Sequence, residues 1–339
     1  MKTHEALLFV ILTACGDSPT TTAGSGGPST CPPKTTTMDL PMSAGAGGIA
    51  EVTSFGDNPG ALQMFVHAPS SMHASAVILA LHGCTESASD YVDVGWNDVA
   101  DRTGAVVVYA QQTAQNDATR CFRWWLPEHT TRGQGEAASI AQMVAYAKQT
   151  YGAEHAYVTG LSAGAAMTAV MLAAYPDIFE AGAIMSGLPY DCAKTQLDAF
   201  SCMNPGKDQP AAAWGALVPD LARMHPPRVA IWHGDADYVV NSKNELELVR
   251  QWTAVNGVSE EPTSTETVGP AKHALYGDRV ESWLVSGMSH GVALAPSQGC
   301  GKAGAYLLDE NLCSTEKAAA FFGLSGSASP SSSSSSGCP

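Results

Sequence analysis

Ser162 lies in the run Ala156-Tyr157-Val158-Thr159-Gly160-Leu161-Ser162-Ala163-Gly164-Ala165-Ala166-Met167, surrounded by the residue types an activated serine needs. The β-branched and aromatic run before it reads as a buried strand. The small residues after it open an apolar helix expected over 165–175. A G-x-S-x-G step between strand and helix lifts a serine hydroxyl clear of the sheet on a sharp turn. Gly160 and Gly164 leave room for strand and helix to pass closely. The free N–H groups and positive dipole end of the helix then face any oxyanion formed beside Ser162. The same step also occurs as an ordinary Gly/Ser turn, so the partners decide the reading.

Those partners are a base to take the serine proton and an acid to orient the base. In a nucleophile elbow they follow in the order Ser, Asp/Glu, His, each on a loop at the carboxyl end of a strand. Two downstream segments fit: His233-Gly234-Asp235-Ala236-Asp237-Tyr238-Val239-Val240 and Gly287-Met288-Ser289-His290-Gly291. Of the ten histidines, His290 alone combines the order, the loop position and glycine neighbours. His67, His73, His129, His155, His225 and His273 read as surface residues without a carboxylate role, and His233 as a packing or turn residue. Either Asp235 or Asp237 fits as the acid, Asp235 also fitting an Asx turn. The oxyanion donors are expected to be the Ala163 N–H and one from His82-Gly83-Cys84-Thr85, with Cys84 the better placed and Thr85 second. Neither H-E-x-x-H nor a Cys/His zinc spacing occurs, so no metal or cofactor is expected.

Behind these residues stand the elements that must position them. Strands are expected at 61–67, 76–81 (AVILAL), 105–110 (AVVVYA), 181–187, 228–233 (RVAIWH) and 281–288. Helices are expected at 136–151, 241–255 (with Glu245, Glu247 and Arg250 outward) and 314–322. Continuous apolar runs suit strands buried on both faces, and their alternation with helices predicts an α/β fold with a mostly parallel, doubly wound sheet. Glu136 reads either as a support for the site or as an acid at a helix N-terminus.

The chain has 339 residues, 45% hydrophobic and 14% charged, with a formal charge of -15. That balance supports a large core and, without a basic patch, argues against nucleic acid or anionic lipid as the main partner. Nine cysteines suit an exported protein. Residues 1–15 read as a lipoprotein-type signal ending Leu12-Thr13-Ala14-Cys15, with Cys15 the lipid-modified residue. Its apolar stretch, 6–14, is too short to span a bilayer. Residues 16–37 form a Ser/Thr/Gly/Pro tether, 38–324 the folded domain, and 325–339 a Ser-rich tail. The protein is therefore expected outside the cell or at its surface, meeting a membrane only through the lipid.

The blocks LHGCTESASDY, CFRWWLPEHTTRGQGEAASI, GLSAGAAM, SGLPYDCA, HGDADYVV and GMSHG, in this order, resemble the polyhydroxybutyrate depolymerase-like esterases. That family also includes feruloyl and acetylxylan esterases. The resemblance spans about 58–324 and implies the α/β-hydrolase fold, with Ser162 as nucleophile, His290 as base and Asp237 as acid. It places the oxyanion loop at His82 to Cys84 and sets Trp124 and Trp125 beside the substrate, or equally in a core. Arg123 departs from the smaller polar residue expected there. Disulfides Cys84–Cys121, Cys192–Cys202 and Cys300–Cys313 are expected, with Cys31 and Cys338 paired or free.

The resemblance thus implies a serine esterase cleaving a polymer or its oligomers, a polyhydroxybutyrate-type polyester first and feruloylated or acetylated cell-wall polysaccharide second. A serine peptidase on the same fold and a non-catalytic surface polymer-binding protein are the rivals.

Overall fold

The apolar runs become the centre of one sheet in a computed structural model that describes residues 48–68 and 73–324. The lipoprotein signal with Cys15, the tether, the tail, Cys31 and Cys338 lie outside the described residues. The sheet's strands are β1 (Ala50–Val52), β2 (Gln63–His67), β3 (Ala76–Leu81), β4 (Val106–Gln111), β5 (His155–Leu161), β6 (Ala181–Met185), β7 (Arg228–Gly234), β8 (Ser264–Val268), β9 (Ala271–Tyr276) and β10 (Val280–Val285). Their order is β1-β2-β4-β3-β5-β6-β7-β10-β9-β8. From β4 to β10 every neighbouring pair is parallel, whereas β1-β2, β2-β4, β10-β9 and β9-β8 are antiparallel. This is the mostly parallel α/β-hydrolase sheet expected from the sequence, closed at both edges by antiparallel strands.

The helices are α1 (Ala88–Tyr91), α2 (Trp96–Thr103), α3 (Pro127–Thr130), α4 (Gly135–Tyr151), α5 (Ala163–Ala174), α6 (Gln196–Met203), α7 (Ala211–Leu217), α8 (Asp220–Met224), α9 (Lys243–Asn256) and α10 (Ser314–Phe322). Two cores explain the run of fully apolar strands. Val77, Leu79 and Leu81 of β3 join the core with α4, α5, α7 and α9, while Ala76, Ile78 and Ala80 join the one with α2 and α10. Side chains alternate across a strand, so a strand covered on both faces must be apolar at every position. A short parallel pair, β11 (Val292–Leu294) with β12 (Leu307–Asp309), follows the sheet.

Several expectations are corrected. The helix expected over 165–175 begins at Ala163, directly after the serine, and all twelve of its residues are buried. The strand expected to reach 288 stops at Val285, and the one expected to reach 187 stops at Met185. Glu247, expected outward on α9, is fully buried, where it accepts from the Trp214 indole N–H and pairs with Arg250 at 2.9 Å. A buried carboxylate is tolerable when so partnered. His155 stays exposed as expected, although it meets Glu180, whereas His67 and His129 are partly buried against Asp101 and Glu136 and His273 is buried between Glu266 and Glu281.

Two glycines set the approach of α5 to the sheet. A methyl group on Gly160 would overlap the Gly164 backbone, and one on Gly164 would overlap the carbonyls of Leu81 and His82. Gly164→Ala is therefore expected to destabilise the protein by roughly 3 kcal/mol or more, the scale of severe overpacking. A urea-unfolding midpoint unchanged by this substitution would refute that packing argument.

Candidate active site

Ser162 directly follows β5 and caps α5 at φ 56°, ψ -115°, a positive-φ conformation that costs a non-glycine residue of order 1–3 kcal/mol. The turn is held on both sides. Ser162 N–H donates to the Met185 carbonyl at the end of β6 (3.0 Å), and the Ser162 carbonyl accepts from Ala166 (2.9 Å). As the first residue of α5, Ala163 has an amide with no acceptor inside the helix.

His290 Nδ1 lies 2.7 Å from Asp237 Oδ2. The other carboxylate oxygen accepts the Val239 and Val240 amides, each at 2.9 Å. His233 donates from Nε2 to the Val240 carbonyl (2.9 Å), with the same nitrogen 3.4 Å from Asp237 Oδ2. Burial works to raise the Asp237 pKa, but the hydrogen bonds and charges of His233 and His290 outweigh it and hold the carboxyl well below the usual carboxylate range. Asp237 is therefore ionised, and its bond to Nδ1 leaves Nε2 of His290 to exchange protons. Asp235 acts elsewhere. Its Oδ1 accepts the Gly287 amide at 2.6 Å, tying the loop after β7 to the loop that carries His290. Ser186, fully buried at the end of β6, braces the far side by donating to the Gly291 carbonyl at 3.0 Å.

The loop after β3 is fixed by buried polar groups. Gln112 N–H donates to His82 Nε2 (3.0 Å), so the neutral ring carries its hydrogen on Nδ1 and donates it to the Gly83 carbonyl (2.6 Å). Burial lowers the His82 pKa to about 4 despite that carbonyl, which keeps the ring neutral. Gln112 is in turn held by Glu136, which accepts its side-chain amide (2.7 Å) and the Arg123 amide (2.8 Å). Glu136 thus supports the site from the first turn of α4, and burial raises its pKa to about 7. On the other side of Gly83, its N–H donates to Glu86 Oε2 at 2.6 Å. The Thr85 amide donates to the Thr119 carbonyl (2.6 Å), whereas the Cys84 amide makes no hydrogen bond among the described residues. Cys84 is joined to Cys121, and Cys192–Cys202 and Cys300–Cys313 are also bonded, the three pairings expected.

Ser162, His290 and the Gly83–Thr85 backbone meet in one cavity of about 170 Å³. Its remaining wall is apolar: Leu161, Met203 from α6, Val239 and Tyr306. Sequence pattern alone does not single out Met203, Val239, Tyr306 or Glu86. The only signal for Glu86 is a lone acid inside a short loop of small residues. The side chains of His82, Trp124 and Trp125 do not line the cavity. His82 is fully buried against Phe122, Trp124 is 5% exposed in the core, and Trp125 packs edge-on against Trp124. The tryptophan pair belongs to the core reading.

Residues 61–275 match the family described as esterase PHB depolymerase. Poly(3-hydroxyalkanoate) depolymerase C of Paucimonas lemoignei is 44% identical over 296 residues, 82% of this chain and 70% of that protein. Feruloyl esterase B of Talaromyces funiculosus is 33% identical over 264 residues, 72% of this chain and 73% of that protein. Among solved structures, an acetyl xylan esterase from Aspergillus awamori superposes with a TM-score of 0.69 at 25% identity, covering 82% of this chain and 99% of that one. With a depolymerase, a feruloyl esterase and an acetyl xylan esterase matched along most of its length, the chain belongs to the esterase PHB depolymerase family and is a carboxylic ester hydrolase.

Proposed function

We propose that the protein is an exported serine esterase that cleaves ester bonds of a polymer or its oligomers, a polyhydroxybutyrate-type polyester in the first place. The observation that carries the mechanism is the buried Asp237–His290 hydrogen bond opening on the same cavity as Ser162. In the proposed reaction, His290 Nε2 takes the Ser162 Oγ proton as Oγ attacks the ester carbonyl carbon, and the carbonyl electron pair moves onto oxygen. The Ala163 and Cys84 N–H groups receive that oxyanion. The intermediate collapses, its alkoxide leaves with the proton from Nε2, and an acyl-enzyme remains. Water then gives a proton to Nε2 and attacks the acyl carbon. Collapse returns that proton to Ser162 Oγ and releases the acid. Asp237 stays ionised throughout and fixes the ring.

The polyester preference rests on the 44% identity to a poly(3-hydroxyalkanoate) depolymerase, and the apolar cavity wall suits an aliphatic acyl group. The second reading, a feruloyl or acetylxylan esterase, is favoured by the relatives at 33% identity. A non-catalytic polymer-binding role would leave the ionised Asp237 and its two histidines without a purpose. Three disulfides among the described residues support export to an oxidising compartment. We place a lipid anchor on Cys15. Among the described residues no helix is long and apolar enough to cross a membrane.

Wild type is expected to release product from amorphous polyhydroxybutyrate in preference to acetylated xylan or methyl ferulate, and Ser162→Ala to lose at least roughly 10⁴ of that activity. Release only from xylan or ferulate would install the second reading; serine-independent release would end the mechanism. Asp237→Asn should lower kcat by about 10³–10⁴ with KM nearly unchanged, because the ring would lose its correct tautomer. A change confined to KM would contradict that role. Cys15→Ser should move the protein from the detergent-extracted membrane fraction to the soluble one, and equal distribution of both forms would exclude the anchor.

A further inference from the structure

The Cys84 amide is a useful oxyanion donor only if its peptide plane is held in one orientation. That plane is shared with the Gly83 carbonyl, because a trans peptide sets C=O of one residue and N–H of the next on opposite sides. His82 Nδ1–H grips this carbonyl at 2.6 Å. A peptide held at its carbonyl can still tilt about the preceding bonds, and the constraint there is Glu86. Its carboxylate oxygen receives the Gly83 N–H at 2.6 Å, one peptide upstream of the oxyanion donor. Glu86 is 6% exposed, and its own amide closes the loop onto the Gly83 carbonyl at 3.4 Å. The space is full: a Cβ on Gly83 would come within 3.0 Å of Glu86 Oε2.

We propose that Glu86 is a positioning residue for ester hydrolysis, its buried carboxylate clamping the Gly83 N–H while His82 holds the Gly83 carbonyl, so that the Cys84 N–H points into the cavity. This rests on the serine-esterase reading above, since it assigns a support to that reading's oxyanion donor. A charge-assisted bond from a fixed carboxylate is about twice as strong as a neutral one, which suits a short loop lacking a helix to stiffen it.

The environment makes the clamp sensitive to pH. Burial raises the Glu86 pKa to about 7, against the lowering effect of the Gly83 amide and with a further rise from Asp90. The buried Tyr91 hydroxyl on α1 feels the Glu86 charge. On the outer side Arg120 reaches the Thr85 carbonyl, and its charge acts on His82. Below neutrality Glu86 gains a proton and holds the Gly83 amide less strongly. The stability consequence has the opposite sign. A carboxyl whose folded pKa lies above its unfolded value of 4.5 contributes stability that is lost as pH rises through about 7. At pH 8 the buried charge therefore weakens the fold while it serves the loop.

The test is Glu86→Gln and Glu86→Leu assayed on a soluble ester such as p-nitrophenyl butyrate, alongside wild type and Ser162→Ala. Glu86→Gln should lose about tenfold and Glu86→Leu about a hundredfold in kcat at pH 8, with KM within about twofold, below or at the cost of losing an oxyanion donor outright. The thermal midpoint of Glu86→Gln at pH 8 should equal or exceed that of wild type. On the acid side, log kcat/KM of wild type should fall more steeply than one proton allows, and that of Glu86→Gln with a single-proton slope. Wild-type kcat and an unchanged acid limb in both variants overturn the clamp. So does a kcat loss matched by a lowered midpoint, which would make Glu86 structural only. If Ser162→Ala keeps its turnover, the esterase mechanism itself fails; if it is inactive while the Glu86 variants remain fully active, only the clamp fails.

Discussion

Everything in the site depends on holding one serine in a backbone conformation it would not choose. At φ 56°, ψ -115° Ser162 stores strain that only its surroundings can maintain. Those surroundings are a helix with all twelve residues buried and three parallel strands. Gly160 and Gly164 let β5 and α5 close on each other, the Leu81 and His82 carbonyls lie against Gly164, and Met185 receives the Ser162 amide. Relaxing the turn would draw α5 out of the core, at a cost of many buried side chains against the few kcal/mol stored in one residue. The apolar sequence of α5 is therefore part of the chemistry, although none of its side chains beyond the turn faces the cavity.

A similar constraint governs the acid. A buried carboxylate costs several kcal/mol unless donors replace its water. Asp237 has two backbone amides on one oxygen and His290 on the other, with His233 beside it. The two amides lock the carboxylate's rotation, so Oδ2 can face only the imidazoles. The parallel pairing of β7 with β10 brings Gly234 opposite Val285 and sets the Asp and His loops side by side. Asp235 then ties one loop to the other through Gly287. Neighbouring aspartates in the sequence thus divide the work: Asp237 holds the His290 imidazole, and Asp235 ties one loop to the other.

Much of this was legible in the sequence because the signals were strong. AVILAL, AVVVYA and RVAIWH are apolar at every position, as strands covered on both faces must be, and the elbow places Ser162 by its glycines. What escaped had weak or misleading signals. The edge strand β8, Ser264–Val268, is largely exposed and polar, so it carries no apolar pattern to distinguish it from a loop. Glu247 followed the ordinary expectation for a helix acid, and only the tertiary position of the Trp214 indole explains its burial. The tryptophan pair was ambiguous because aromatic size serves a core and a binding wall equally well. Tyr306 and Met203 reach the cavity from segments distant in the chain, which a reading of local pattern does not bring together.

The two proposed oxyanion donors show how differently a backbone N–H can be secured. Ala163 belongs to a buried helix, so its direction follows from the helix axis and would survive almost any change in nearby polar side chains. Cys84 has no such support. Its direction depends on a disulfide to Cys121, on the neutral His82 ring against the Gly83 carbonyl, and on Glu86 against the Gly83 amide. Behind His82 stand Gln112 and Glu136, carrying the dependence back to the start of α4. Since a backbone amide has no side chain of its own to alter, selection on the strength of this donor can act only through these supports. That is a physical reason for a loop of so few residues to be surrounded by so many buried polar groups, two of them carboxyls with raised pKa values. Preorganisation here requires keeping charge where burial disfavours it, and the core that holds Ser162 in its strained turn also bears that cost.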